Sequence, residues 1–295
     1  MDVRPGTDEH RATVVVGVDG SARATEAVRW AAVEAARRGV PVRLVCAVHD
    51  AADRVLRAEL VQHYEKVVTR RAREVLTEAL DVAGREVPGV EVESELATGH
   101  PVGVLREESE RALLVVVGDR GLSRVAGLLA GSVSVALATH AACPVVVVRG
   151  PESSGRDDRP VVVGVDGSPG GEAAVAFAYE AASFRRVGLV AVHTWWDLFA
   201  DPALAPLLDW DAIETDERLL LAERLAGWAE KYPDVAVERV ITRGLPAQQL
   251  LRRAAGAQLV VVGSRGRSEL AGLVLGSVSN TLLHRSPCPV VVARS

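Results

Sequence analysis

Two stretches of the chain space glycine and serine alike: GDRGLSRVAGLLAGSVS over 118–134 and GSRGRSELAGLVLGSVS over 263–279. In each, two glycines stand three apart, then nine residues, then a Gly-Ser pair. Gly118 and Gly121, like Gly263 and Gly266, carry no Cβ, so backbone N–H groups there can turn against an incoming anion. Gly131 and Gly276 lead into Ser132 and Ser277, read as the N-caps of the next helix. A helix start offers unpaired N–H donors and about half a positive charge. Val133, Ser134, Val278 and Ser279 fall in that first turn. A phosphate chain fits between such a loop and such a helix start. Neither motif holds a lysine, so amides and hydroxyls must bind the charge.

A second pair of residues points the same way. Asp19 and Asp166 each stand in GVDGS, at the end of an apolar run. A carboxylate there can accept hydrogen bonds from ribose hydroxyls. A plainer reading competes: glycines after strands turn the chain, Ser132 and Ser277 cap helices, and both aspartates serve as turn residues. Two copies at one spacing favour the phosphate reading, although duplication copies structural needs as faithfully as functional ones. The dinucleotide fingerprint GxGxxG after the first strand and the P-loop GxxxxGK[ST] are both absent from the sequence.

The elements that would position these residues are written twice. VVVGVDGS starts at Val14 and again at Val161, and CPVVVVR at Cys143 returns as CPVVVAR at Cys288. Three matched blocks in one order imply a duplicated domain. The expected division is 1–150, a Gly/Pro/Ser-rich linker at 151–159, and 160–295. Each half reads βαβαβαβαβ, with strands predicted in the first half over 13–18, 42–48, 90–98, 113–118 and 145–149. Helices are expected over 22–38, 51–83, 100–109 and 132–140. Alternation over 90–98 suggests an edge strand. Strands alternating with helices imply α/β halves, each doubly wound with helices on both faces of a parallel sheet. Ligands bind such sheets at the carboxyl ends of the strands. An insert over 194–210 has no counterpart in the first half and holds Trp195, Trp196 and Trp210. Its rings suit either a partner surface or a cover over core or ligand.

Composition sets the outer limits. With 295 residues, 48% hydrophobic and 4% aromatic, valine, alanine and leucine must build the core. A net charge of -5 argues against nucleic-acid binding through a basic surface. No apolar run reaches the roughly 18 residues of a membrane helix, and the polar N-terminus lacks the apolar segment of a secretory signal. Cys46, Cys143 and Cys288 show no CxxC spacing, which suits free thiols in a reducing cytoplasm.

GVDGS on the first strand, G-x2-G-x9-G-[ST] after the fourth and CPVVVV at the end together resemble the universal stress protein family, in tandem form. The resemblance covers nearly the whole chain apart from the N-terminal tail, linker and tryptophan insert. It implies two Rossmann-like (adenine nucleotide alpha hydrolase-like) domains, each a five-stranded sheet of order 3-2-1-4-5. It further implies an ATP-binding regulator of the stress response, with Mg²⁺ accompanying the nucleotide. Residue by residue, Asp19 and Asp166 would meet the ribose. Gly118, Gly121, Gly131, Ser132, Val133 and Ser134 would hold the triphosphate, as would Gly263, Gly266, Gly276, Ser277, Val278 and Ser279. Backbone near Ala47 and Thr194 would read the adenine. The last strands, 145–148 and 290–292, would pair antiparallel between the halves, and a homodimer of the chain stays open.

Catalysis is not expected beyond slow ATP hydrolysis. Phosphoryl transfer needs a base or water-orienting group beside the γ-phosphate. The motifs repeat no lysine, glutamine or histidine; Glu269 matches Arg124, and His140 and His284 lie one position out of register. A binding module in which ATP is structural is the remaining alternative. One departure separates the halves: Asp119 stands where the second copy has Ser264, and a carboxylate near phosphates predicts weaker binding in the first half.

Overall fold

A computed structural model describes residues 13–49, 58–121, 131–150, 158–195, 209–266 and 275–294. In chain order the elements are β1 (Thr13–Gly17), α1 (Ala22–Arg38), β2 (Val42–Val48), α2 (Ala58–Glu86), β3 (Val92–Thr98), α3 (Pro101–Glu108), β4 (Ala112–Gly118), α4 (Ser132–His140) and β5 (Val145–Val148). The second half repeats them as β6 (Val161–Val165), α5 (Pro169–Arg185), β7 (Leu189–Trp195), α6 (Trp210–Lys231), β8 (Val237–Arg243), α7 (Pro246–Ala254), β9 (Leu259–Gly263), α8 (Ser277–Arg285) and β10 (Val290–Ala293).

Local chemistry explains the boundaries. Ser21 caps α1 by accepting the Ala24 N–H at 3.1 Å. Ala24, Ala27, Val28, Ala31, Ala32 and Ala35 are buried at helical spacing, and Gly39 ends the helix in the left-handed region. The valine runs of β1, β4, β6 and β9 are almost wholly buried because helices cover both faces. Two apolar layers flank the sheet. One packs α1, α2, α5 and α6, and the other packs α3, α4, α7 and α8.

Each half keeps the order 3-2-1-4-5, but the sheet does not stop there. The expected pair of five-stranded parallel sheets is corrected to one ten-stranded sheet, β3-β2-β1-β4-β5-β10-β9-β6-β7-β8. Its single antiparallel junction pairs Val147 with Val290, Val146 with Val291 and Val145 with Val292. The physical reason is edge protection: β5 is all valine and β10 three valines and Ala293, and joining them satisfies backbone groups that a free edge would expose. The outer edges are β3 and β8, whose residues are mostly exposed or half-buried.

A buried ion cluster ties the halves on the α1/α5 side. Glu34, fully buried, accepts from Arg38 Nε at 2.7 Å and from Arg185 Nη2 at 2.6 Å. Arg38 lies 5.1 Å over the ring of Phe177, and Arg185 lies 5.7 Å over Trp30. The arginines are 147 residues apart, as are the two aromatics, so the halves exchange equivalent contacts and share one carboxylate. Burial raises the Glu34 pKa, but Arg185 and Arg38 outweigh it and hold the carboxyl below its ordinary 4.5.

Candidate functional site

The strand-one turn is built by glycine. Gly20 and Gly167 have φ of 82° and 77°, a conformation that other residues adopt at a cost. That turn lets Asp19 and Asp166 fold back onto the helix that follows. Asp19 Oδ1 accepts the Ser21 N–H at 2.9 Å. Asp166 Oδ1 accepts both the N–H and the hydroxyl of Ser168, at 2.9 and 2.7 Å. The second oxygen of each points at the glycine loop. A Cβ on Gly121 would lie 2.6 Å from Asp19 Oδ2, and one on Gly266 3.0 Å from Asp166 Oδ2. The tertiary fold thus brings together residues a hundred positions apart.

The motif glycines serve closeness, not positive φ. A Cβ on Gly118 would meet the Arg23 backbone at 2.8 Å, and one on Gly263 the Gly170 carbonyl oxygen at 2.6 Å. The first glycine of each motif therefore seats the start of α1 or α5 against the strand, correcting the expectation that it turns the loop toward phosphate. Gly131 and Gly276 also have an internal duty. Their N–H groups donate to the carbonyls of Asp119 (2.7 Å) and Ser264 (2.9 Å), closing the loop on itself.

The caps differ from expectation too. Gly131 and Gly276, not Ser132 and Ser277, are the N-caps of α4 and α8, and neither helix has a side-chain cap. Ser132 and Ser277 are the first helical residues. The Ser134 hydroxyl donates to the Gly131 carbonyl (2.8 Å) and that of Ser279 to the Gly263 carbonyl (2.6 Å), so both brace the loop. What faces outward is the first-turn amides of 132–134 and 277–279, which no side chain caps.

In the second half these groups line a cavity of about 390 Å³. Asp166, Thr194, Gly263, Gly266, Gly276, Ser277, Val278 and Ser279 all border it. Sequence reasoning missed its apolar wall, which Val165, Val192, Pro246, Leu250 and Val262 supply. The available signal was GLP at 244–246, matching GHP at 99–101, which starts a short helix against the strand ends. Thr194 also meets Thr242, their hydroxyls 3.1 Å apart. Ala47 is its counterpart, since β2 pairs with β1 as β7 pairs with β6. Beside Asp19, burial and then the Asp19 charge push the Cys46 thiol up to about 11.

Asp119 departs from expectation. Its side chain is buried, with Arg23 Nε at 3.3 Å, Arg149 Nη2 at 3.8 Å and Arg120 Nε at 4.0 Å. Arg23 has Gly170 as its counterpart, so the extra carboxylate and an extra cation arrive together. Because β5 and β10 run antiparallel, the two candidate sites, each at the carboxyl ends of its own half's strands, open at opposite ends of the strands of the ten-stranded sheet.

In the insert, Trp195 stacks on Trp210 at 5.8 Å, and Arg243 lies 3.9 Å over Trp210. Trp196, Arg124 and Glu269 lie outside the described residues. Cys46, Cys143 and Cys288 are buried free thiols, and no described helix is long and apolar enough to cross a membrane.

The model of the universal stress protein family matches residues 10–149 and again 159–294. Universal stress protein Rv2005c of Mycobacterium tuberculosis is 42% identical over 95% of this chain and 96% of its own. Universal stress protein Rv2623 of the same organism is 43% identical over the same shares. The crystal structure of a universal stress protein from Archaeoglobus fulgidus superposes with a TM-score of 0.73 at 22% identity, covering 96% of this chain and 98% of that one. With the duplicated α/β architecture and these matches in hand, the chain belongs to the universal stress protein family, as a tandem of two copies.

Proposed function

We propose that this protein is an adenine-nucleotide-binding regulator of the stress response, taking one ATP in each of two domains, 1–150 and 160–295. The observation that carries the reading is the second-half cavity, where Asp166, the glycine loop and the uncapped start of α8 face one space. Its size falls in the range of small-molecule sites, roughly 300–1,000 Å³. Val192, Leu250 and Val262 offer an apolar wall for a base, and Thr194 stands at the strand end beside it. The 277–279 amides, together with the Arg265 side chain, suit the phosphates. Each charge-assisted hydrogen bond contributes about 1.5–3 kcal/mol, so three or four such bonds reach the 8 kcal/mol of micromolar binding.

Mg²⁺ fits as a companion of the phosphates. Asp166 is the one carboxylate among the described residues lining the cavity, and Mg²⁺ is commonly held by one or two carboxylates plus phosphate oxygens and water. Buried free thiols agree with a cytoplasmic protein.

The test is mass spectrometry of nucleotide released from purified, denatured protein. ATP is expected from the natural chain and none from a Gly131→Glu/Gly276→Glu variant. A folded sample that releases no adenylate and does not bind added ATP refutes the reading. Hydrolysis faster than roughly 1 per second would make the protein an enzyme instead.

A further inference from the structure

Two arginines cross the junction between the halves in a reciprocal exchange. Arg149, just after β5, donates from Nη1 to the Leu283 carbonyl in the last turn of α8. Arg294, just after β10, donates from Nη1 to the Ala138 carbonyl in the last turn of α4, at 3.0 Å. Donors and acceptors are each 145 residues apart, so the two bonds are copies of one interaction. Each acceptor helix begins at the opposite candidate site: α4 starts at the first-half loop and α8 at the second-half loop.

Each arginine also stands beside its own half's loop. Arg149 Nη2 is 3.8 Å from Asp119 Oδ2 across the first loop, and Arg149 Nε and Asp119 Oδ1 lack hydrogen-bond partners although buried. Arg294 follows Ala293, whose carbonyl accepts the Ser264 N–H of the second loop at 3.0 Å, and Arg265 of that loop lines the second cavity. One guanidinium thus faces a choice. It holds the carbonyl end of the helix that serves the other site, or it turns to anionic charge arriving at its own.

We propose that Arg149 and Arg294 are positioning residues that couple the two nucleotide sites negatively. This rests on the ATP-binding reading above and names a regulation of those same sites. Phosphates at the second loop draw Arg294 toward them and away from Ala138. The last turn of α4 then loses the guanidinium that anchors it, and the first-turn amides at its other end are held less firmly for an anion. Arg149 does the same for α8 when the first site fills. By linkage the two effects are equal in size. The chain would then carry one nucleotide over a wide concentration range and two only at high ATP.

The test is calorimetric titration of the full chain with ATP. Gly121→Leu blocks the first site and Gly266→Leu the second without adding anionic charge, since a Cβ there lies 2.6 or 3.0 Å from the facing aspartate; each change lies in a loop outside α4 and α8. The open site in either blocked protein should bind about five-fold tighter than the second ATP binds the natural chain, the low end of typical couplings. In an Arg149→Gln/Arg294→Gln background that difference should vanish, and Arg149→Lys/Arg294→Lys should restore part of it. A purely structural role would lower the melting temperature while leaving the difference in place, and that result overturns the proposal. So do two sites whose affinities ignore each other, or a filled site that strengthens its neighbour. Absence of ATP binding in the natural chain is a separate outcome: it refutes the nucleotide reading, and the coupling with it.

Discussion

Ser264→Asp should weaken ATP binding in the second half, and adding Gly170→Arg should restore it. The first half already carries this pair: Asp119 is buried with Arg23 Nε at 3.3 Å. Its other neighbours, Arg120 and Arg149, have counterparts in Arg265 and Arg294, so only the Arg23 position differs in the second half. One added charge roughly 6 Å from the phosphates, at an effective dielectric of about 20–40, costs about 1.4–2.8 kcal/mol. Arg265 and Arg294 offset part of that, which places the expected loss near ten-fold in Kd, the lower end. Gly170 can take the arginine, because a Cβ there would lie 3.3 Å from the Arg265 carbonyl oxygen, a contact relieved by a shift of a few tenths of an ångström. Calorimetry with ATP in a Gly121→Glu background reads the second site alone. An unchanged Kd in Ser264→Asp, or an equal loss in Ser264→Asp/Gly170→Arg, would refute the reasoning. The same geometry removes the ground for expecting weaker binding in the first half, since Asp119 does not stand there uncompensated.

Glu34→Ala should destabilise the chain by about 3–5 kcal/mol, the usual cost of breaking a buried ion pair, read by urea unfolding. Glu34 is held below its ordinary 4.5, so its contribution is present above that pH and fades as pH falls through the lower folded-state value. The stability gap between the natural chain and Glu34→Gln should therefore narrow in acid, and a gap independent of pH would contradict the assignment. Gly263→Ala places a methyl 2.6 Å from the Gly170 carbonyl oxygen, so α5 must move; a loss of about 1–3 kcal/mol is expected, and unchanged thermal unfolding would argue against close approach as the glycine's role. The native thiols should resist a thiol reagent at pH 8. Burial pushes Cys46 to about 11 and Cys143 to about 12, whereas the unfolded chain should titrate all three cysteines; rapid labelling of the native protein would refute this.

Much of this protein was legible in the residue order. Valine runs, alanine-lined helices and a repeated block order determine ten strands and their α/β alternation, because period and burial are local properties of the chain. The matched spacing of GVDGS and the glycine motif pointed to both loops for the same reason. The roles inside those loops were less legible. Gly118 and Gly263 looked like turn residues until the backbones of α1 and α5 were seen against them, and Ser132 and Ser277 looked like caps until Gly131 and Gly276 took that place.

Only the tertiary structure decided the rest. Spacing within one half says nothing of its neighbour, so the antiparallel pairing of β5 with β10 was expected only from the family resemblance, and the structure shows it, Val145–Val147 against Val290–Val292. The cation that accompanies Asp119 lies 96 positions earlier, at Arg23. The carbonyls that Arg149 and Arg294 reach belong to the opposite half. Hydrophobic period acts over a few residues, while charge compensation and close backbone approach act across whatever the fold brings within a few ångströms.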